Sequence, residues 1–355
     1  MLDIVKKWLN RYFFKEEALV LLLLIVLSLV IVITMGNVLA PIIAAIILAY
    51  LIEGMTIRLI NRGMSEGLAV WLTFTVFMGA FFAVMFVLLP LAWQQMSNLF
   101  AELPGMVNRL QTVLIVLPEQ YPTVFSESQI QQFTQLATTE LGSVGQYILS
   151  FSLASIPNLM AALIYLILVP ILVFFFLKDR ELIILWMTGF LPAERALLAH
   201  IGEEMNQQIS NYARGKALEI LIVGVVTYAA FIWMDLNYAA LLALLVGLSV
   251  LIPYIGAAVV TLPVALISFF QWGWGPEFFY LLLIYLVIQA LDGNILVPLL
   301  FSEAVNLHPV AIILSVLVFG GFWGLWGVFF AIPLATLVKA VINAWPVPES
   351  IDQVS

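Results

Sequence analysis

The sequence predicts an all-α fold: a polytopic transmembrane helix bundle with interrupted or re-entrant helices and an amphipathic helical segment outside the membrane. Three observations carry this prediction. Of 355 residues, 64% are apolar and 10% charged, against about 45–50% and about 25% in soluble domains. The apolar residues fall into runs of roughly 20, the length that crosses a hydrocarbon core of about 30 Å. Lys and Arg gather in alternate connections between those runs. A soluble fold of this length has too little interior to hide so much apolar surface, whereas a bilayer is itself the apolar solvent. The net charge of −8 comes without the clustered Lys and Arg that nucleic-acid binding requires. The absence of Cys excludes disulfides and thiolate metal sites.

The first apolar run, Ala18–Met35, is longer than a signal-peptide core and is followed at once by a second, so it reads as a retained helix. Only Gly36-Asn37 separates it from Val38–Ile52, which predicts a tight helical hairpin. Leu68–Trp93, Ile156–Leu177, Ala217–Met234 and Phe278–Phe301 follow as further spans. The chain then divides into N-terminal membrane helices (1–93), an extracytoplasmic amphipathic segment (94–155), a central membrane helix (156–177), a cytoplasmic amphipathic segment (178–216), a C-terminal membrane core (217–344) and a tail (345–355).

Basic residues orient these spans. Lys6, Lys7, Arg11 and Lys15 precede the first, Arg58 and Arg62 follow the second, and Lys178, Arg180, Arg195, Arg214 and Lys216 follow the fourth. Arg109 alone falls in the connection after the third span. With both termini in the cytoplasm of a bacterial inner membrane, every connection obeys the positive-inside rule.

The extracytoplasmic segment carries Met96, Phe100, Leu103, Val107, Leu110, Leu114 and Leu117 at alternating spacings of four and three, a seam of period 3.5. Pro104 predicts a kink or helix start within it, and Ser126 with Gln129 has the form of a capping box. The seam suits helices packed on their own domain as well as it suits a subunit contact. In the cytoplasmic segment, Leu197, Leu198, Ile201, Met205, Ile209 and Tyr212 share one helix face, which suits packing at the membrane surface or coupling to a moving part.

Two stretches of the C-terminal core, Tyr238–Phe270 and Val310–Ala344, are too long for one span each and are broken, the first at Pro253 and Gly256, the second at Gly320, Gly321 and Gly324 with Pro333 beyond. Each is two short spans or a re-entrant hairpin; the re-entrant reading gives six full crossings and two hairpins, and eight or more simple spans is the alternative. Backbone groups freed by such breaks must find partners or line a wet cavity, and paired broken segments build the ligand site in many transporters. Between them lie Gln289, Asp292 and Asn294 in an otherwise apolar run. An Asp at a helix centre costs about 2.5–3.5 kcal/mol on insertion scales, so it faces protein or water. Gln289 and Asp292 are three apart and share a face. Gly293 permits unwinding or close approach, and Pro298 frees a carbonyl one turn earlier. Glu303 and His308 follow as further candidates for binding an ion or solute, His308 being able to titrate near neutral pH.

These same residues carry a resemblance. Phe175-Phe176-Leu177-Lys178-Asp179, Asn211-Tyr212 with Gly215, Pro253-Tyr254-Ile255-Gly256, Asp292-Gly293-Asn294 with Pro298, Leu307-His308-Pro309, Gly320, Gly321, Gly324 and Gly327, and Ala331-Ile332-Pro333 together resemble the autoinducer-2 exporter family, and within it the PerM-type permeases. The likeness covers nearly the whole chain. It implies a transporter of about eight membrane segments, associated with autoinducer-2 export or sodium/proton exchange. It also implies a homo-oligomeric ring, pentameric in some members. Tyr254 and Ile255 stand where many relatives have a second proline, and Gly293 stands inside the Asp–Asn pair.

The leading functional expectation is therefore a secondary transporter of a small solute or ion, working among membrane lipids without a cofactor. No phosphate-binding Gly-x-x-x-x-Gly-Lys-Ser/Thr loop is present to bind a nucleotide. An intramembrane enzyme is disfavoured, because the two histidines cannot alone build a zinc site and Asp292 has no obvious intramembrane Asp partner. A non-transporting membrane scaffold is the alternative. The topology makes a direct prediction. In cells, a cysteine replacing Asn61 is shielded from membrane-impermeant thiol reagents and one replacing Ser128 reacts; the reverse pattern contradicts the orientation.

Overall fold

The computed structural model describes residues 16–120, 132, 156–192, 195–253, 255–301 and 307–344. Among these every regular element is helical: α1 (Glu16–Asn61), α2 (Glu66–Ala83), a π-helical turn (Val84–Leu88), α3 (Leu89–Gln120), α4 (Ile156–Lys178), α5 (Arg180–Thr188), α6 (Ala196–Trp233), α7 (Ala239–Ser249), α8 (Ile255–Trp272), α9 (Pro276–Leu291), a second π turn (Asp292–Leu296), α10 (Val297–Phe301), α11 (Pro309–Phe329) and α12 (Ala331–Ala344). Among the described residues six stretches are long and apolar enough to cross a membrane, and two of them, Ile255–Trp272 and Pro309–Phe329, lie in the stretches read as re-entrant. The chain folds as two compact units, residues 1–75, 168–218 and 297–355 in the first and 76–167 and 219–296 in the second.

In the first unit the expected hairpin at Gly36-Asn37 is replaced by unbroken helix across α1. Neither residue forces a turn, and Gly36 has another use: a Cβ there would meet the Trp323 indole nitrogen at 2.6 Å. The glycine is a packing site. The helix is nevertheless not straight. Leu21 packs on Leu198 and Ile201 of α6, and the Tyr50 hydroxyl donates to Asn206 Oδ1 at 2.8 Å. A straight helix would separate Leu21 from Tyr50 by roughly 44 Å, while Leu198 and Asn206 are only about 12 Å apart along α6. The chain therefore bends between them, where Gly36 and Pro41 lie, and both ends of α1 stay beside the N-terminal half of α6.

The amphipathic stretch after Lys178 and the fifth predicted span also merge, into α6. Its apolar face is used within the unit: Leu198 and Ile201 pack against Leu21, with Leu337 and Val341 of α12 alongside, and Tyr212 packs against Phe301 and Ile332. Gly215 makes room for that contact, since a Cβ there would meet the Phe301 ring at 2.7 Å. The break in the second long stretch falls at Gly324, whose φ of 58° and ψ of −136° interrupt α11. The chain then turns back and α12 packs on α11. Gly327 sits against the Phe319 carbonyl, closer than any side chain permits.

In the second unit α2 continues through the π turn into α3, past Trp93 and through Pro104 to Gln120, so no helix starts at Pro104. The capping box at Ser126 and Gln129 lies outside the described residues. The interior is built from Val223 and Phe231 of α6, Leu242 and Val246 of α7, Val264 of α8, and Leu281 and Tyr285 of α9. Two glycines let α6 and α7 touch: a Cβ on Gly247 would lie 3.2 Å from the Gly224 Cα, the small-residue packing that replaces the hydrophobic effect between helices in lipid. α7 and α8 form the other hairpin, their connection following the expected break at Pro253, and Gly256 is pressed against the Ser249 carbonyl as Gly327 is against Phe319. The eleven residues of α7 rise only about 16 Å, half of a hydrocarbon core of about 30 Å, too short to cross one alone. The connection before α7 is fixed by Gln271, whose Oε1 accepts from Asn237 N at 2.8 Å and whose Nε2 donates to the Asp235 carbonyl at 2.7 Å. Tyr238 at the head of α7 has its phenol pushed up to about 12, by burial first and then by a hydrogen bond to Glu102 and the charge of that carboxylate.

These two glycine contacts predict a contrast. Gly256→Ala and Gly327→Ala each destabilise the detergent-solubilised protein by about 1–3 kcal/mol, as overpacking does. Gly293→Ala, where nothing lies within 4 Å of an added Cβ, changes it by no more than about 1 kcal/mol. Thermal unfolding followed by circular dichroism checks all three, and equal behaviour would contradict the packing.

Candidate functional site

The polar residues of the C-terminal core lie along one side of α9. Tyr285 and Gln289 are four residues apart and Gln289 and Asp292 three, so the three side chains follow one face of the helix. Tyr285 is fully buried. Its hydroxyl lies 3.1 Å from Thr261 Oγ1 on α8, which itself donates to the Ala257 carbonyl at 2.7 Å. One turn on, the side chain of Gln289 is half-buried, and its Nε2 is buried without a hydrogen-bond partner among the described residues. Asp292 ends α9 and opens the π turn, with Oδ1 buried. A π turn holds an extra residue within the helical ladder and loosens it, and such turns are frequent at functional sites. α9 thus presents a phenol bonded to the hairpin arm, then an amide with an unused donor, then a carboxylate at the point where the helix widens.

The other sequence candidates go elsewhere. Asn294 is exposed and its Nδ2 donates to the Ala290 carbonyl of its own helix at 2.8 Å. Residues two apart do not face one another on a helix, so Asn294 does not join Gln289 and Asp292. Gly293 lies in the π turn, and Pro298 in the short α10 that follows. Glu303 lies outside the described residues. His308 belongs to the first unit, exposed at the head of α11, where its Nδ1 accepts from Val310 N at 3.3 Å. That bond satisfies one of the orphan donors of the helix start. Among the break residues, Pro253 lies in the α7–α8 connection, Gly320 is crowded by the Val328 side chain, Gly321 has open space, and Pro333 stands in the first turn of α12.

Glu53 directly follows the second predicted span. In the first unit it is the centre of a charge knot. Glu53 Oε1 lies 2.6 Å from Arg180 Nη1 and Oε2 3.5 Å from Arg214 Nη2. Arg214 Nε also donates to the Tyr50 carbonyl at 3.1 Å, and Gly54 gives its guanidinium room. One carboxylate thereby ties α1 to α5 and α6. The only signal in the sequence was an acid near the end of a span with unassigned arginines far along the chain. Lys216 is buried, with Nζ 5.3 Å from the Phe301 ring centroid, a contact of cation–π type.

The AI-2E family transporter model matches residues 19–347. The chain belongs to this family. It is 49% identical to the protein named "Putative permease PerM" of Escherichia coli K12 over 98% of both chains. It is 26% identical to the transport protein YueF of Bacillus subtilis over 82% of this chain and 80% of that one. It is also 22% identical to the AI-2 transport protein TqsA of Escherichia coli K12 over 87% and 86%. Membership in a family of transporters, with permease-named relatives matching end to end, makes the chain a multi-pass membrane transporter and does not favour the scaffold reading. The glycines pressed on carbonyls and the polar face of α9 belong to segments where the resemblance was first seen.

Proposed function

We propose that this family member is a secondary transporter of the bacterial inner membrane, with both termini cytoplasmic, and that the face of α9 at Gln289 and Asp292 contacts its solute. The observation that carries the reading is the buried Gln289 Nε2 without a hydrogen-bond partner among the described residues, one turn before a carboxylate at a π turn. A buried donor left unsatisfied costs about 1–3 kcal/mol, and a ligand oxygen would recover it. Donor amide and acceptor carboxylate together suit a small solute bearing both acceptor and donor oxygens. A hydroxylated compound such as autoinducer-2, which the name of the TqsA relative suggests, has this character. Asp292 also supplies a carboxylate that a coupling proton or sodium ion can neutralise. Energy comes from an ion gradient or from the solute's own gradient. The broken α7–α8 hairpin, in the same unit as α9, supplies movable backbone beside the path, and copies of the chain assemble around their own axis as the family resemblance implies.

The test is flux in proteoliposomes holding the purified chain. Proton and sodium gradients are imposed in turn against autoinducer-2 and a panel of small polyols. Gradient-dependent uptake falls at least tenfold in Asp292→Asn and several-fold in Gln289→Leu. Flux that survives both substitutions unchanged removes the solute from this face of α9.

A further inference from the structure

The first unit contains a cavity of about 530 Å³ between the C-terminal half of α1, the start of α2, the end of α4 and α5. It is not part of the polar face of α9. Charged and apolar side chains share its lining. Glu53, Glu66, Asp179 and Glu181 contribute four carboxylates, and Lys178 and Arg180 two cations. On α5, Leu182, Ile184 and Met187 also line the cavity yet remain 66%, 48% and 58% exposed. Deep in the cavity stands Thr56, only 6% exposed. A helical threonine usually returns its hydroxyl to the carbonyl four residues back. The Thr56 Oγ1 is buried and has no hydrogen-bond partner among the described residues. A buried hydroxyl left open in this way marks room for a polar atom that the protein does not supply.

The chemistry of the walls selects the occupant. Charged groups beside exposed aliphatic side chains suit an amphiphile, whose head sits among the charges and whose tails leave over α5. The volume lies within the 300–1,000 Å³ range of small-molecule sites. The carboxylates outnumber the cations, and Arg180 is already held by Glu53 at 2.6 Å. A purely anionic headgroup would therefore face net repulsion. A headgroup with an ammonium and a phosphate matches both signs, the ammonium toward Glu66 and Asp179 and the phosphate toward Lys178 and the Thr56 hydroxyl. A quaternary choline group cannot donate the hydrogen bonds these carboxylates accept. We propose that this cavity is a binding site for a zwitterionic aminophospholipid of the phosphatidylethanolamine class, drawn from the surrounding leaflet. The bound lipid fills the space beside the Glu53 knot and braces α5 against α1.

The test is native mass spectrometry of the full chain released from nanodiscs made of equal parts dioleoyl phosphatidylethanolamine, phosphatidylglycerol and phosphatidylcholine. The expected result is a retained phosphatidylethanolamine adduct enriched about tenfold over the other two, the worth of one charge-assisted hydrogen bond. Thr56→Val, which keeps the shape, and Glu66→Gln, on an exposed residue outside the Glu53 ion pairs, each reduce the enrichment several-fold. Glu277→Gln, distant in sequence and not lining the cavity, leaves it unchanged. Equal retention of the three lipids, preference for phosphatidylglycerol, or enrichment that persists in both cavity variants would overturn the proposal. Because the readout is lipid retention, its failure leaves the solute reading at α9 untouched, and the reverse also holds.

Discussion

In hydrocarbon no water is available to backbone N–H and C=O groups, and each unsatisfied group costs several kcal/mol. That constraint shapes the molecule. Among the described residues every regular element is helical, and two departures from helix have close packing beside them. The Gly324 kink is followed by Gly327 lying on the Phe319 carbonyl, and the α7–α8 connection by Gly256 lying on the Ser249 carbonyl. Each unit thus holds one hairpin closed by the same device. Only glycine permits it, because any Cβ would occupy the position of the opposing carbonyl.

The same constraint explains why polar side chains here carry information. Tyr285 is buried yet satisfied by Thr261, so it joins α8 to α9 and belongs to the architecture. Glu53 is largely enclosed, but two arginines hold it, and it too is architectural. Gln289 is different: its buried donor has no partner among the described residues, and it lies one turn from Asp292, where the helix widens. That open donor is the observation on which the proposed solute contact at α9 rests.

Much of this was legible in the sequence because the bilayer acts on composition and run length, both local. Apolar runs gave the fold class, and Pro253 and Gly324 marked the breaks where the chain does leave the helix. Gly36 was misread because a glycine that turns the chain and one that admits a neighbour look alike until the neighbour is known, here Trp323. Asn294 was grouped with Asp292 by proximity in sequence, although a helix separates residues two apart and its amide returns to the Ala290 carbonyl. The Glu53 knot was invisible because its partners lie far along the chain, and ion pairs leave no periodic trace. The amphipathic stretch at Leu198 and Ile201 was recognised, but its partner, Leu21 of α1, could be found only in three dimensions.

The reading of both hairpins as re-entrant, entering the membrane without crossing it, is the expectation most open to direct test. Electron paramagnetic resonance depth measurement tests this directly, with single spin labels on cysteines replacing Leu251 and Leu325, one at each tip, in reconstituted bilayers. Comparison of oxygen with a polar nickel relaxant places both labels well inside the hydrocarbon, the first about 16 Å from the surface where α7 begins. Labels at headgroup depth on the opposite surface would make these segments full spans and contradict the account.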